Sequence, residues 1–229
     1  ARAPLNSPAA PDGATGAWGG GAMSETAEST LLLRYGDQFS RDDHDARMDA
    51  LLWEGALPAA QRQIARVSPE RRNLFSERLS IAQGSPPGTT GLPLTPEDMR
   101  DPGYVHARVQ QARNARNTAT AVALLAARPQ LSAPVRTPVR WVGNKLWLGG
   151  TRALWTLRDP RRAAPLFYRY GAAARTPGTR TKGFYWAGRA LAEAGDRAGA
   201  ARYFEMAAQF PDHFYGQLSL ERLGRAIPN

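Results

Sequence analysis

The chain has 229 residues, enough to bury a sizeable core in one large domain or two small ones. It contains no cysteine, which excludes disulfides and thiolate metal centres, and no stretch approaches the ~18 apolar residues of a membrane-spanning helix. Lys+Arg 30 against Asp+Glu 20 leaves a net +10, and with lysine only at Lys145 and Lys182 the other 28 cations are arginines, dispersed and never five in a row. Such a balance fits an anionic polymer, a nucleic acid, an anionic surface or a bias of composition.

The opening "ARAPLNSPAAPDG" lacks the basic start and apolar run of a signal peptide, so the chain is expected to be cytosolic or to have lost its leader. Residues 1–23, with three prolines and then "GGGAM", read as an extended N-terminal arm. Ser24 is a plausible N-cap for a helix closing before Gly36, and Ser40 caps the next, with Asp42, Asp43 and Asp45 in its first turn. That helix presents Met48, Leu51 and Leu52 at core spacing and ends near Gly55. Pro58 suits the start of another, and "SPERR" supplies Ser68 as a cap and Pro69 at the first helical position. These helices make a first segment over 24–83.

A loop with five prolines follows over 84–103, and a second helical segment spans 104–229. Helices are expected over Tyr104–Arg113 and Thr118–Ala127, then a break over Pro129–Pro138, then helical pattern from Trp141 to Gly224. No alternating pattern bounded by hairpin turns occurs, so the chain reads as all-α.

Two late segments match at a spacing of 37 residues: Leu154 with Leu191, Ala163 with Ala200, Phe167 with Phe204 and Tyr170 with Ala207. Small residues let two helices approach, and the aromatic one turn on fills the groove against the next pair. Looser echoes surround Ala60 and Ala121. The expected architecture is a superhelical array of antiparallel helix hairpins, a tetratricopeptide-like α-solenoid that buries Leu154, Phe167, Leu191 and Phe204 along one seam. An irregular helical bundle is the alternative.

Catalytic patterns are absent. His44, His106 and His213 are isolated, and no HExxH, GxSxG, GxGxxG or Walker loop occurs. "DDHD" over Asp42–Asp45 reads as first-turn acids rather than a metal cluster. Gly149-Gly150 reads as a helix contact or kink, not a phosphate cradle. Trp147, Trp155, Phe167, Tyr168, Tyr170, Phe184, Tyr185 and Trp186 could stack on sugars or bases, but most fall at core spacing.

"KGFYWAGRALAEAGDRAGAARYFEMAAQFPDHFYGQLSLERLG", Lys182 to Gly224, resembles the last superhelical segment of soluble lytic transglycosylases, where a "YWxGRA…G…A…Y/F" hairpin precedes an "FYGxLA…LG" helix. Tyr185, Trp186, Gly188, Arg189 and Ala190 match the first part; Phe214, Tyr215, Gly216, Leu218, Leu223 and Gly224 match the second, with Ser219 in place of an alanine. Arg34 to Arg72 is similar to the family's "GDxLTxxDHxxRxDxLLWxG…A" segment through Asp43, His44, Arg47, Asp49, Leu51, Leu52, Trp53 and Gly55. Together the two stretches cover about a third of the chain, in the family's order.

The resemblance implies a periplasmic peptidoglycan-cleaving enzyme. The family's lysozyme-like module breaks the MurNAc–GlcNAc link with one glutamate, acting as acid and then base, to give a 1,6-anhydro product. The motifs of that module, "ESxF" and "GxGLMQ", do not occur here, and Ser24-Glu25 and Ser76-Glu77 are in the wrong context. No catalytic role passes to Glu25 or Glu77, and no catalytic, cofactor-binding or metal-binding residue is assigned. The expectation is a non-catalytic scaffold region, inactive alone and part of a longer polypeptide. Its partners would be peptidoglycan glycan strands and its own catalytic module, with no membrane span, and the dispersed arginines argue against nucleic acid. The region over 131–145 is shorter and richer in Pro and Arg than the family's helices there. A helical-repeat scaffold for protein partners is the alternative function.

Overall fold

Serine caps and helix-starting prolines divide the chain into short helices, and the packing follows from what each leaves uncovered. The computed structural model describes residues 10–127 and 139–228, and among them the regular structure is entirely helical, with twelve α-helices and no strand. The first nine residues and the break expected over Pro129–Pro138 lie outside the described residues. Contacts divide the chain into two compact units, Ala1–Gln111 and Ala112–Asn229.

The first unit contains α1 (Ala10–Trp18), α2 (Glu25–Tyr35), α3 (Arg41–Glu54), α4 (Leu57–Gln63), α5 (Pro69–Ala82) and most of α6 (Pro102–Asn114). Helix α1 takes the place of extended chain over Ala10–Trp18 of the arm expected at 1–23. Pro11 sits in its first turn, where a missing N–H costs nothing. At its other end the fully buried Trp18 stacks on Phe39 with ring centroids 4.8 Å apart, in a cluster with Ala14 and Tyr35. Burial of that indole fixes the helix, and proline and glycine content gives no hint of it.

The caps act as the residue types dictate. Ser24 accepts a hydrogen bond from the Ala27 N–H at 3.2 Å, and Ser40 and Asp43 form a reciprocal capping box. Gly55 closes α3 in the left-handed region at φ +75°. Ser68 differs from expectation: its hydroxyl donates to Asp45 at 2.6 Å instead of capping α5, and Pro69 alone starts that helix. Met48, Leu51, Leu52, Ala60, Val67, Phe75 and Leu79 form the core between α3, α4 and α5. The proline-rich stretch over 84–103 has no α-helix before α6 and is tied down by buried Glu77, which accepts from the Gly88 N–H at 2.5 Å and from the Thr90 hydroxyl.

The second unit contains α7 (Thr118–Ala127), α8 (Val139–Thr151), α9 (Pro160–Ala172), α10 (Pro177–Glu193), α11 (Arg197–Ala208) and α12 (Phe214–Arg222), with α8 running on into a π-helical turn over Arg152–Thr156. Each helix packs on the next in sequence, and α10 also meets α12. Leu154, Ala163, Phe167, Ala200 and Phe204 are buried and Leu191 is half-buried, so the 37-residue match does mark core positions.

The match extends further than the apolar positions. Asp159 caps α9 by accepting from the Arg162 N–H at 3.0 Å, and Asp196, 37 residues on, caps α11 by accepting from the Gly199 N–H at 2.8 Å. The residue before each cap is left-handed, Arg158 at φ +51° and Gly195 at φ +81°. The π turn absorbs one extra residue in the first copy, where the Asp159 N–H reaches Ala153 O while the Asp196 N–H reaches Leu191 O. An arginine in the left-handed region costs about 1 kcal/mol that glycine does not. Arg158→Gly is therefore expected to stabilise the second unit by about 1 kcal/mol in urea unfolding, with no change in the helical circular dichroism.

Candidate functional site

The residues shared with the transglycosylase segment in the first unit are occupied in architecture. Arg47 is fully buried, with Nη1 donating to Gly21 O at 2.8 Å and Trp18 O at 3.1 Å, Nη2 donating to Glu28 at 3.3 Å, and its guanidinium 4.1 Å from the Trp18 ring centre. Burial pushes the Glu28 carboxyl up, but Arg62 and then Arg47 outweigh it and hold the group below its ordinary range. Arg62 completes the cluster at 2.8 Å from both Glu28 and Glu25, so Glu25 belongs to an ion pair.

His44 lies edge-on to Trp18 and Phe39, beside the Gln63 amide at 3.2 Å. Burial and then Arg66 push its pKa down, which favours the neutral ring. Asp49 accepts from Arg78 at 2.6 Å, and Trp53 stacks on His106 at 4.5 Å. Asp42–Asp45 do not converge: the Asp43 carboxylate accepts from the Ser40 N–H in the capping box of its own helix, and Asp45 accepts from the Ser68 N–H. Among the described residues no group of three or more His, Cys, Asp or Glu side chains is placed to hold a metal ion.

The second unit places its motif residues differently. Gly188 lets the Phe204 ring lie against α10, where an added Cβ would come within 2.7 Å of that ring. Gly216 likewise lets α12 pass against the Phe210 carbonyl, and Ser219, fully buried, donates back to Tyr215 O at 2.7 Å. On this frame the aromatics form a chain of ring contacts. Trp155 meets Trp186 at 5.2 Å, Trp186 meets Tyr185 at 5.9 Å, Tyr185 meets Tyr215 at 5.4 Å, and Tyr215 meets Phe214 at 5.1 Å.

The two ends of that chain reach solvent, with Trp155 55% and Phe214 66% exposed, while Tyr185 between them is buried. Trp147 and Tyr170 pack 5.2 Å apart beside it, both half-buried. Cations flank the rings: Lys182 Nζ lies 3.8 Å from the Trp147 ring centre and Arg189 lies 5.5 Å from that of Trp186. The Trp186 Nε1–H is buried without a partner among the described residues.

Core spacing accounts for Phe167, Phe184 and Tyr185, which are buried, but not for Trp155. Trp155 stands on the π turn, where Leu154 takes the buried position and the indole is turned out. A period of 3.6 cannot foresee that shift. Gly149 and Gly150 are helix contacts, a Cβ on them coming within 2.8 Å of Leu125 and 2.7 Å of Phe167.

The arrangement offers flat apolar faces beside fixed positive charges, a surface able to stack on the C–H face of a ring and to hold nearby carboxylates. No protein-family model, curated protein or solved structure was found to match this chain.

Proposed function

We propose that the chain is the non-catalytic helical scaffold of a periplasmic peptidoglycan lytic transglycosylase, and that the aromatic chain from Trp155 to Phe214 is where it meets the glycan strand. The observation that carries this reading is a coincidence of two independent features. Tyr185, Trp186, Arg189, Phe214 and Tyr215 are the residues through which the segment resembles the transglycosylases, and the four aromatics among them make up the chain of ring contacts that reaches solvent at Trp155 and Phe214, with Arg189 beside Trp186.

Pyranose rings present C–H faces that stack on indole and phenyl groups, and the peptide stems of peptidoglycan carry carboxylates that suit Lys182, Arg189 and the net charge of +10. The successive packing of α8 to α12, with capped turns repeated at 37 residues, supports an array of antiparallel hairpins of the tetratricopeptide-like kind. In the whole enzyme the cleavage of MurNAc–GlcNAc links would belong to a catalytic module, and this region would hold the strand and support that module.

Co-sedimentation of the full chain with purified sacculi tests the reading. Burying one indole face contributes about 1.5 kcal/mol, so Trp155→Ala is expected to weaken sacculus binding about tenfold with only a small fall in the unfolding midpoint, since the ring is 55% exposed and packs mainly on Trp186. The chain alone should release no anhydromuropeptides. No affinity for sacculi, together with stable capture of a protein partner, would favour a protein-interaction scaffold instead.

A further inference from the structure

The end of α6, one side of α7, the second half of α8 and the π turn line a pocket of about 130 Å³ in the second unit. Three cations line it, Arg113, Lys145 and Arg152, and its described lining residues include no Asp or Glu. Arg152 Nη1 donates to the Thr118 hydroxyl at 3.5 Å, which leaves that hydroxyl its own proton to donate. Much of the rest of the lining is apolar, with Val122 and Leu148 among its residues. A cavity of roughly 150 Å³ accommodates a benzene-sized molecule, so the space suits about six non-hydrogen atoms.

We infer that this pocket is a binding site for a small organic carboxylate, its oxygens held by Arg152, Lys145 and Thr118 and its short apolar body lying against Val122 and Leu148. The site stands on the geometry of the second unit and does not depend on the wall reading. Burial, and then the neighbouring Arg113, pull the Lys145 ammonium down to about 8, the direction expected where positive charge is crowded. The planar fork of a guanidinium matches a carboxylate, and the apolar wall favours an organic anion over inorganic phosphate. The π turn places Arg152, which lines the pocket, three residues before Trp155, so one local irregularity supplies a residue to each feature.

The test is an NMR titration of the full chain with sodium isobutyrate, ionic strength held constant with sodium chloride, with isobutyramide and inorganic phosphate as the comparison ligands. Saturable shifts of the amides from Thr118 to Leu125 are expected for isobutyrate, with a millimolar Kd, and none for isobutyramide. Arg152→Gln, whose side chain is exposed and leaves the fold intact, should weaken isobutyrate at least tenfold, and Lys145→Gln should do the same. Equal binding of isobutyramide, shifts that never saturate, tighter binding of phosphate, or an unchanged Kd in the two variants would each overturn the assignment.

Discussion

Arg47→Ala is expected to destabilise the first unit by about 3–5 kcal/mol, the cost of removing one partner from a buried ion pair. The arginine is fully buried and joins three segments, because its guanidinium donates to the carbonyls of Trp18 and Gly21 and to the Glu28 carboxylate while lying over the Trp18 ring. Alanine would leave Glu28 buried with Arg62 alone, orphan two carbonyls and open a cavity beneath the indole. Removing both charges should cost less than removing one, so Arg47→Met with Glu28→Leu is expected to recover much of the loss. Urea unfolding, with hydrogen exchange of the α1 to α3 amides as the local readout, separates the two variants.

The pH dependence has a defined sign. Glu28 is held below its ordinary value of 4.5 in the fold, so its contribution is present above 4.5 and is lost as pH falls through the lower, folded value. Without Arg47 that acid limb should move to higher pH. A loss below about 1 kcal/mol, the range of an exposed pair, would mean that the cluster does not hold the first unit together.

Much of the helical skeleton was readable in the residues because caps are local chemistry. Thr118–Ala127 is a helix over the span its composition predicts, Ser24 and Ser40 cap as serines before acidic turns do, and the 37-residue spacing finds Ala163, Ala200, Phe167 and Phe204 in the core. What was not readable depends on contacts far apart in sequence or on a break of period. Helix α1 exists because Trp18 is covered by Phe39 and Arg47, residues beyond the reach of any local window. The transglycosylase-like segment over Arg34 to Arg72 suggests function by resemblance, yet Asp43, Arg47, Asp49 and Gly55 are all spent on caps, ion pairs and a left-handed turn. Lys145 and Arg152 look like scattered surface charge until α6, α7, α8 and the π turn bring them to one pocket.

Gly183→Ala is expected to cost the second unit about 3 kcal/mol, the upper part of the range for an overpacked core. The methyl group would come within 2.5 Å of Gly171 Cα and 2.7 Å of Phe167 O, atoms of the α9 backbone that cannot rotate away. Gly171 faces it in turn, its own Cβ position lying 2.7 Å from Arg180 O, so two glycines set the distance between α9 and α10. Gly178, earlier in α10, is the control: a Cβ there meets only His213 at 3.6 Å, ordinary contact, and Gly178→Ala should be neutral or slightly stabilising. Forcing α9 and α10 apart acts on the aromatic face as well, because Trp186 on α10 rests against Phe167 on α9 at 6.1 Å and against Trp147 on α8 at 6.4 Å. On the proposed glycan contact, Gly183→Ala should therefore weaken sacculus binding together with stability, whereas Trp155→Ala is expected to act mainly on binding. If Gly183→Ala left the unfolding midpoint of the second unit within error of the wild type, the close approach of α9 and α10 would not be what positions the rings.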